Sequence, residues 1–234
     1  MKLFTIPNFM TLGNLLAGCI GILAVFEGQL LFASLLIGVA LILDFGDGFV
    51  ARLLNQSSPI GKELDSLADM VTFGVLPSFI LIHILQEPWV LHVHETKWYL
   101  SYIPLFLALS SALRLAKFNI DTRQSDQFIG VPTPANGLII ASLPLISTYQ
   151  PEYASYLLKP EILIGYTLIM SYLLIAELPL LAFKFKNFQW KGNQIRYVFL
   201  IFSVILILSL GFVSFPVLIL SYIIISMLDK AFSK

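Results

Sequence analysis

Four aspartates interrupt an otherwise apolar stretch of the sequence, LDFGDGFVARLLNQSSPIGKELDSLADM at 43–70: Asp44, Asp47, Asp65 and Asp69. Residues three or four apart on a helix share a face. Asp44 and Asp47 therefore form one pair and Asp65 and Asp69 another, and the short segment between them lets the pairs converge. Converging carboxylates repel one another unless they are protonated or bridged by cations. Hard divalent ions that prefer oxygen ligands, Mg²⁺ or Mn²⁺, suit such a donor set. Two such ions about 3.5–4 Å apart would serve displacement at phosphorus, where attacking and leaving oxygens both need stabilising. The plainer reading is a solvated helix-end cluster in which the acids pair with Arg52 and Lys62. It accounts for one aspartate at a helix end better than for four at paired helical spacing. At membrane depth each carboxylate costs roughly 2.5–3.5 kcal/mol, so four uncompensated ones would cost on the order of 10 kcal/mol.

The residues between the acids extend the pattern. Gly46, Gly48 and Gly61 omit side chains where a phosphate could approach the backbone, although close helix packing is the other common use of a membrane glycine. Arg52 offers a planar fork of donors suited to phosphate. In the first apolar run Asn8, Thr11 and Asn14 recur every three residues. Polar groups inside a membrane helix need partners, so this stripe is read as facing a polar cavity rather than lipid. Asn8, directly after Pro7, also fits a helix N-cap.

The elements that must position these residues are membrane helices. The 234 residues are 58% hydrophobic and 12% charged, with a mean hydropathy of +0.87, against about 25% charged in ordinary soluble domains. The expected fold is an all-α integral membrane bundle with a polar cavity facing the cytoplasm, a single transmembrane domain over 1–234. At about 20 residues per crossing, eight spans are expected near 8–26, 29–53, 63–85, 98–119, 133–149, 160–184, 195–211 and 214–231. Gly211 and Pro216 in GFVSFP supply turn residues for a hairpin between the last two. The opening MKLFTIPNFM lacks a small-residue cleavage site and is not read as a removable signal peptide. Cys19 is the single cysteine, which precludes an intramolecular disulfide, and a net charge of zero gives no reason to expect a nucleic-acid partner.

Charge asymmetry orients the bundle. With the N-terminus in the cytoplasm, Lys2, Arg52, Lys62, Arg114, Lys117, Arg123, Lys184, Lys186, Lys191, Arg196, Lys230 and Lys234 fall on the cytoplasmic side. Lys97 and Lys159 alone fall on the other, so twelve of the 14 basic residues lie inside, as the positive-inside rule requires. Both termini and the aspartates are then cytoplasmic. Trp89 and Trp98 read as interfacial anchors, and His83, His92 and His94 as members of a wet interfacial loop rather than a metal site.

Read in order, Asp44, Asp47, Gly48, Ala51, Arg52, eight further residues, Gly61, Asp65 and Asp69 resemble the signature of the CDP-alcohol phosphatidyltransferase family, D-x-x-D-G-x-x-A-R-x(7–8)-G-x-x-x-D-x-x-x-D, at every fixed position. The resemblance implies a membrane enzyme that transfers a phosphatidyl group from a CDP-linked lipid to an alcohol and releases CMP. It implies that Asp44, Asp47 and Asp65 bind metal, and that Asp69 both approaches the metals and acts as general base. Gly48, Ala51, Arg52 and Gly61 would face the CDP moiety, the stripe of Asn8, Thr11 and Asn14 would line the same nucleotide cavity, and the enzyme would be a homodimer. No nucleophile-plus-base pair is evident, so direct attack by the acceptor is expected.

IPNFMTLGNLLAG (6–18), SALRLAKFNI (111–120) and FIGVPTPANG (128–137) resemble the phosphatidylserine synthase branch of that family. That resemblance implies L-serine as the acceptor and CDP-diacylglycerol as the donor. Arg114 or Lys117 could meet the serine carboxylate or serve as positive-inside anchors. Asn119, Thr133 and Asn136 could hydrogen-bond the acceptor or cap helix ends. Glu177 is either functional or the partner of an arginine on a neighbouring helix. The competing readings are a sister transferase acting on glycerol 3-phosphate or an inositol phosphate, and a cation-coupled transporter. The transporter reading finds no internal repeat to support it.

Overall fold

The structure, a computed structural model, describes residues 3–87, 95–121, 128–180 and 194–232. Helix α1 (Ile6–Phe26) is capped by Thr5, whose hydroxyl accepts from the Asn8 amide, with Pro7 in the first turn where its missing N–H costs nothing. The cap is thus Thr5 and not Asn8. Helix α2 (Leu30–Leu53) returns along α1. Small residues let the two backbones approach, as expected where no hydrophobic force drives helices together in lipid. A β-carbon at Gly46 would stand 2.5 Å from the Met10 methyl, and Ala17, Ala24, Ala33 and Ala40 are buried.

Asn55 at φ 51° ends α2, and Ser58 caps α3 (Pro59–Asp69) through the Gly61 amide at 3.1 Å. A π-helical turn over Met70–Val75 follows Asp69 and leads into α4 (Leu76–Gln86). This run is the core of the bundle. Phe73, Leu76, Ile80, Leu81 and Leu85 are fully buried against α1, α5 (Leu105–Ile120) and α6 (Thr133–Tyr149). A 3₁₀ segment (Glu95–Tyr102) precedes α5, and α7 (Pro151–Leu157) and α8 (Pro160–Ile175) follow α6. The chain ends in α9 (Gln194–Leu210), a 3₁₀ turn (Gly211–Val213) and α10 (Ser214–Phe232).

The helices fall on the expected apolar segments, with differences in how they cross. Among the described residues, five helical runs are long and apolar enough to span a membrane, against the eight spans expected; one of them, Tyr197–Met227, holds both α9 and α10, and a sixth is added if the α7–α8 pair, bent by 68°, counts as one. Helix α6 has 17 residues with Pro144 inside it, short for a full crossing. The sixth span, expected to reach 184, ends at Ile175. There the chain turns to form a two-residue antiparallel ladder, β1 (Phe128–Ile129) with β2 (Pro179–Leu180), the one departure from an all-helical fold among the described residues. Gly130, at φ 78°, lies against the carbonyls of Leu174 and Ala176, where a β-carbon would not fit. The terminal hairpin does form: the rings of Phe199 and Tyr222 are 6.0 Å apart, whereas 23 residues of straight helix would separate them by about 35 Å.

Candidate active site

The hairpin of α2 and α3 sets the aspartates in two layers. Asp47 lies six residues before the end of α2 and Asp65 six after the start of α3, while Asp44 and Asp69 lie nine and ten residues in. At 1.5 Å per residue the layers are about 9 Å and 14 Å from the loop. One carboxylate oxygen each from Asp44, Asp47 and Asp65 lie within 4.8 Å of one another. Asp44 also comes within hydrogen-bonding reach of both Asp65 and Asp69. Asp47 and Asp69 are 6% and 7% exposed and Asp44 and Asp65 are half-buried, so water screens this crowding only in part. Asp65 Oδ1 is buried with no hydrogen-bond partner. An unpaired buried carboxylate oxygen beside other carboxylates is the donor set a hard divalent cation fits, and Asp44, Asp47 and Asp65 are the three whose oxygens converge to hold one, with Asp69 outside that group but beside Asp44.

Helix α1 braces this cluster. Thr11 Oγ1 donates to Asp47 Oδ2 at 2.5 Å, and Asn14 Nδ2 donates to Asp69 Oδ1 at 3.1 Å. Asn8 instead ties back to the Leu3 carbonyl through Nδ2 at 2.7 Å. The polar stripe therefore divides: Asn8 and Thr11 line a cleft beside the aspartates, and Asn14 lies deeper, with no exposed surface.

That cleft, about 230 Å³, is lined by Pro7, Asn8, Thr11, Asp47, Gly48, Ala51, the Gln56–Ser58 turn, Gly61, Lys62 and Asp65. Gly48 has nothing within 4 Å of where a β-carbon would sit, so its missing side chain leaves open space. A β-carbon at Gly61 would press on Asn8 Oδ1 at 3.1 Å and Ser58 Oγ at 3.2 Å. Arg52 is exposed and donates from Nε to the Gly48 carbonyl at 3.0 Å, outside the lining of the cleft. Gln56, Ser57 and Ser58 are lining residues that the glycine–aspartate pattern does not mark, although three polar residues in a row inside that spacing are a visible signal.

Beyond Asp69 stand the candidate acceptor-binding residues. Arg114 is 8% exposed, lies near enough to Asp69 for their charges to interact, and donates from Nη1 to Thr133 Oγ1 at 3.3 Å. Its Nε has no partner, and neither has Nδ2 of the fully buried Asn136, whose Oδ1 accepts from Tyr166 at 2.6 Å. Tyr166 lies in an apolar run with nothing in the sequence to mark it. Lys117 is turned aside to Glu177 at 2.8 Å, so a lysine partners this acid. Asn119 bridges α5 to α3, accepting from Ser66 and donating to Glu63, both at 3.2 Å. None of Asn119, Thr133 and Asn136 caps a helix. His83 pairs with Glu87 at 3.2 Å, away from the aspartates. Trp89, His92, His94 and Arg123 lie outside the described residues.

The sequence matches the profile of the CDP-alcohol phosphatidyltransferases over residues 4–224. The chain belongs to this family. Among curated relatives it is 34% identical over 183 residues to the CDP-diacylglycerol–serine O-phosphatidyltransferase of Bacillus subtilis, covering 76% of this chain and 91% of the relative. It is 30% identical over 222 residues to the enzyme of that name from Helicobacter pylori, covering 90% and 83%. It is 34% identical over 149 residues to that from Methanocaldococcus jannaschii, covering 63% and 65%. A CDP-alcohol phosphatidyltransferase needs a place for a nucleotide diphosphate beside its aspartates, and the cleft at Gly48, Ala51 and Gly61 opens directly onto Asp47 and Asp65.

Proposed function

We propose that this membrane-embedded transferase moves the phosphatidyl group from CDP-diacylglycerol to the hydroxyl of L-serine, giving phosphatidylserine and CMP. The observation that carries the choice of serine is the buried, unpaired Nε of Arg114, whose charge interacts with that of Asp69; Nδ2 of Asn136, one turn along α6 from the Thr133 that Arg114 touches, is likewise buried and unpaired. A carboxylate is the group they suit, and Arg114 offers the charge. Thr133 holds the guanidinium in place. Lys117 and Asn119, engaged with Glu177, Glu63 and Ser66, contribute at the rim of the site.

Asp44, Asp47, Asp65 and Asp69 would hold Mg²⁺ or Mn²⁺, two ions on this reading. Bound there, such ions neutralise the diphosphate and ease the departure of CMP. The cleft lined by Asn8, Thr11, Gly48, Ala51 and Gly61 takes the CDP moiety, and Arg52, at its edge, faces the phosphates. Asp69 accepts the proton of the serine hydroxyl. The serine oxygen then bonds to the phosphorus bearing diacylglycerol as the bridging oxygen leaves with CMP. Lys62 Nζ donates to the Asn119 carbonyl at 2.8 Å, which gathers the start of α3 and the end of α5 at one end of the bundle. With the basic bias of that end, this supports a site open to the cytoplasm and both termini on that side. A single domain working as a homodimer completes the reading, on the family resemblance alone.

The test is CMP release and lipid product with purified protein, CDP-diacylglycerol and Mn²⁺ or Mg²⁺. Serine, glycerol 3-phosphate and an inositol phosphate are offered separately. Phosphatidylserine formed with serine alone is the expected result. Release of CMP with another alcohol would keep the aspartate chemistry and overturn the acceptor.

A further inference from the structure

We infer that Asn14 is a positioning residue for Asp69 and not a ligand of the nucleotide, an inference that rests on Asp69 being the base that receives the acceptor's proton. Three observations carry it. Asn14 has no exposed surface and does not line the cleft, although Asn8 and Thr11, on the same stripe, do. Its Nδ2 donates to Asp69 Oδ1 at 3.1 Å. Its own carbonyl accepts from Thr72 Oγ1 at 3.2 Å, in the π-helical turn that begins just after Asp69. Helix α1 thus grips the Asp69 segment twice, once through the side chain of Thr72 in the turn and once through the carboxylate.

The consequence follows from carboxylate geometry. An aspartate has two equivalent oxygens and a soft final torsion. A single donor on Oδ1 removes the rotation and leaves Oδ2 with one fixed direction. A base must lie within about 2.6–3.2 Å of the proton it takes, and misplacement by about 1 Å can cost on the order of a hundredfold in rate. Asn14 acts on the proton-transfer step through Asp69 while the nucleotide binds one to two helical turns away, against Asn8 and Thr11.

The experiment compares wild type with Asn14→Leu, which keeps the branching and removes the donor, and with Asn14→Asp, which keeps the shape and size and reverses the polarity. Thermal unfolding confirms that each is folded. CDP-diacylglycerol affinity is read by calorimetry in Mg²⁺, and kcat and KM for both substrates by CMP release. Both variants should lose kcat by about tenfold to a hundredfold, with KM and calorimetric affinity for CDP-diacylglycerol within about twofold of wild type. An unchanged kcat in a folded variant would overturn the assignment. So would a tenfold loss of CDP-diacylglycerol affinity, whether or not any alcohol is turned over, since that is the signature of a nucleotide ligand. A wild-type protein inactive with every acceptor would count against the reaction itself, and the calorimetric arm would still decide whether Asn14 touches the nucleotide.

Discussion

Thr11 Oγ1 donates to Asp47 Oδ2 at 2.5 Å across the interface of α1 and α2. The hydroxyl also lies 3.1 Å from the Pro7 carbonyl, but it has one proton to give, and the charged, nearer oxygen takes it. The bond fixes one oxygen of Asp47 and leaves the other to the cluster with Asp44 and Asp65. Groups that hold a ligand from behind commonly carry ten- to hundredfold in metal affinity. Thr11→Val, nearly the same in volume, should therefore shift the Mg²⁺ or Mn²⁺ activation curve rightward by about tenfold, and Thr11→Ser should restore most of the shift. Asp44→Asn, which removes a ligand outright, should shift it further. Unchanged titrations in both would argue against ligation by this cluster.

Asp69 is the deepest of the four, in the layer it shares with Asp44. As general base it should be indispensable to turnover and dispensable for holding the lipid. Asp69→Asn should lower CMP release by about a hundredfold or more while CDP-diacylglycerol still binds, as read by equilibrium binding of the labelled lipid. Undiminished turnover would remove Asp69 from the base role.

Much of this site is legible in the sequence itself, and the reason is local. The pairs Asp44/Asp47 and Asp65/Asp69 are set by helical spacing within two adjacent segments, and only a five-residue turn separates α2 from α3. What is not legible depends on contacts distant in sequence. Nothing near Asn14 says that its amide meets Asp69, or near Lys117 that it meets Glu177, sixty residues on. Tyr166 sits in a run as apolar as a lipid-facing helix, and its tie to Asn136 exists only once α6 and α8 are packed. The span boundaries fail for a different reason. Hydropathy registers an apolar run but not the turn after Ile175, the π-helical turn after Asp69 or the bend between α7 and α8.

Arg114 and Lys117 lie one turn apart on α5, but their surroundings differ. Arg114 is 8% exposed with a buried, unpaired Nε. Lys117 and Glu177 form an ion pair with side chains 38% and 59% exposed, a class worth at most about 1 kcal/mol. If serine's carboxylate is held by Arg114, each charged hydrogen bond lost is worth about 1.5–3 kcal/mol. Arg114→Gln should then raise the KM for serine by about tenfold or more, leaving the KM for CDP-diacylglycerol little changed. Lys117→Gln should move the serine KM by less than about fivefold. The reverse ranking, read from initial rates over a serine series, would move the carboxylate site to the rim.

Gly46 and Gly48 stand two residues apart on α2, but only one of them borders the cleft. A β-carbon at Gly46 would collide with the Met10 methyl at 2.5 Å, whereas at Gly48 it would meet nothing within 4 Å. Gly46→Ala meets only the mobile end of the Met10 side chain, which can turn aside, and gains about 0.5–1 kcal/mol of helix propensity, so its unfolding midpoint and its KM for CDP-diacylglycerol should stay close to wild type. Gly48→Leu should fold as wild type but fill the cleft beside Asp47, raising the KM for CDP-diacylglycerol by about tenfold or more, since each 1.4 kcal/mol of lost binding is a factor of ten. Thermal unfolding in detergent and lipid-substrate kinetics, run on both variants, read the two outcomes. A Gly48→Leu protein with wild-type KM would mean that the open space beside Asp47 is not where the nucleotide lies.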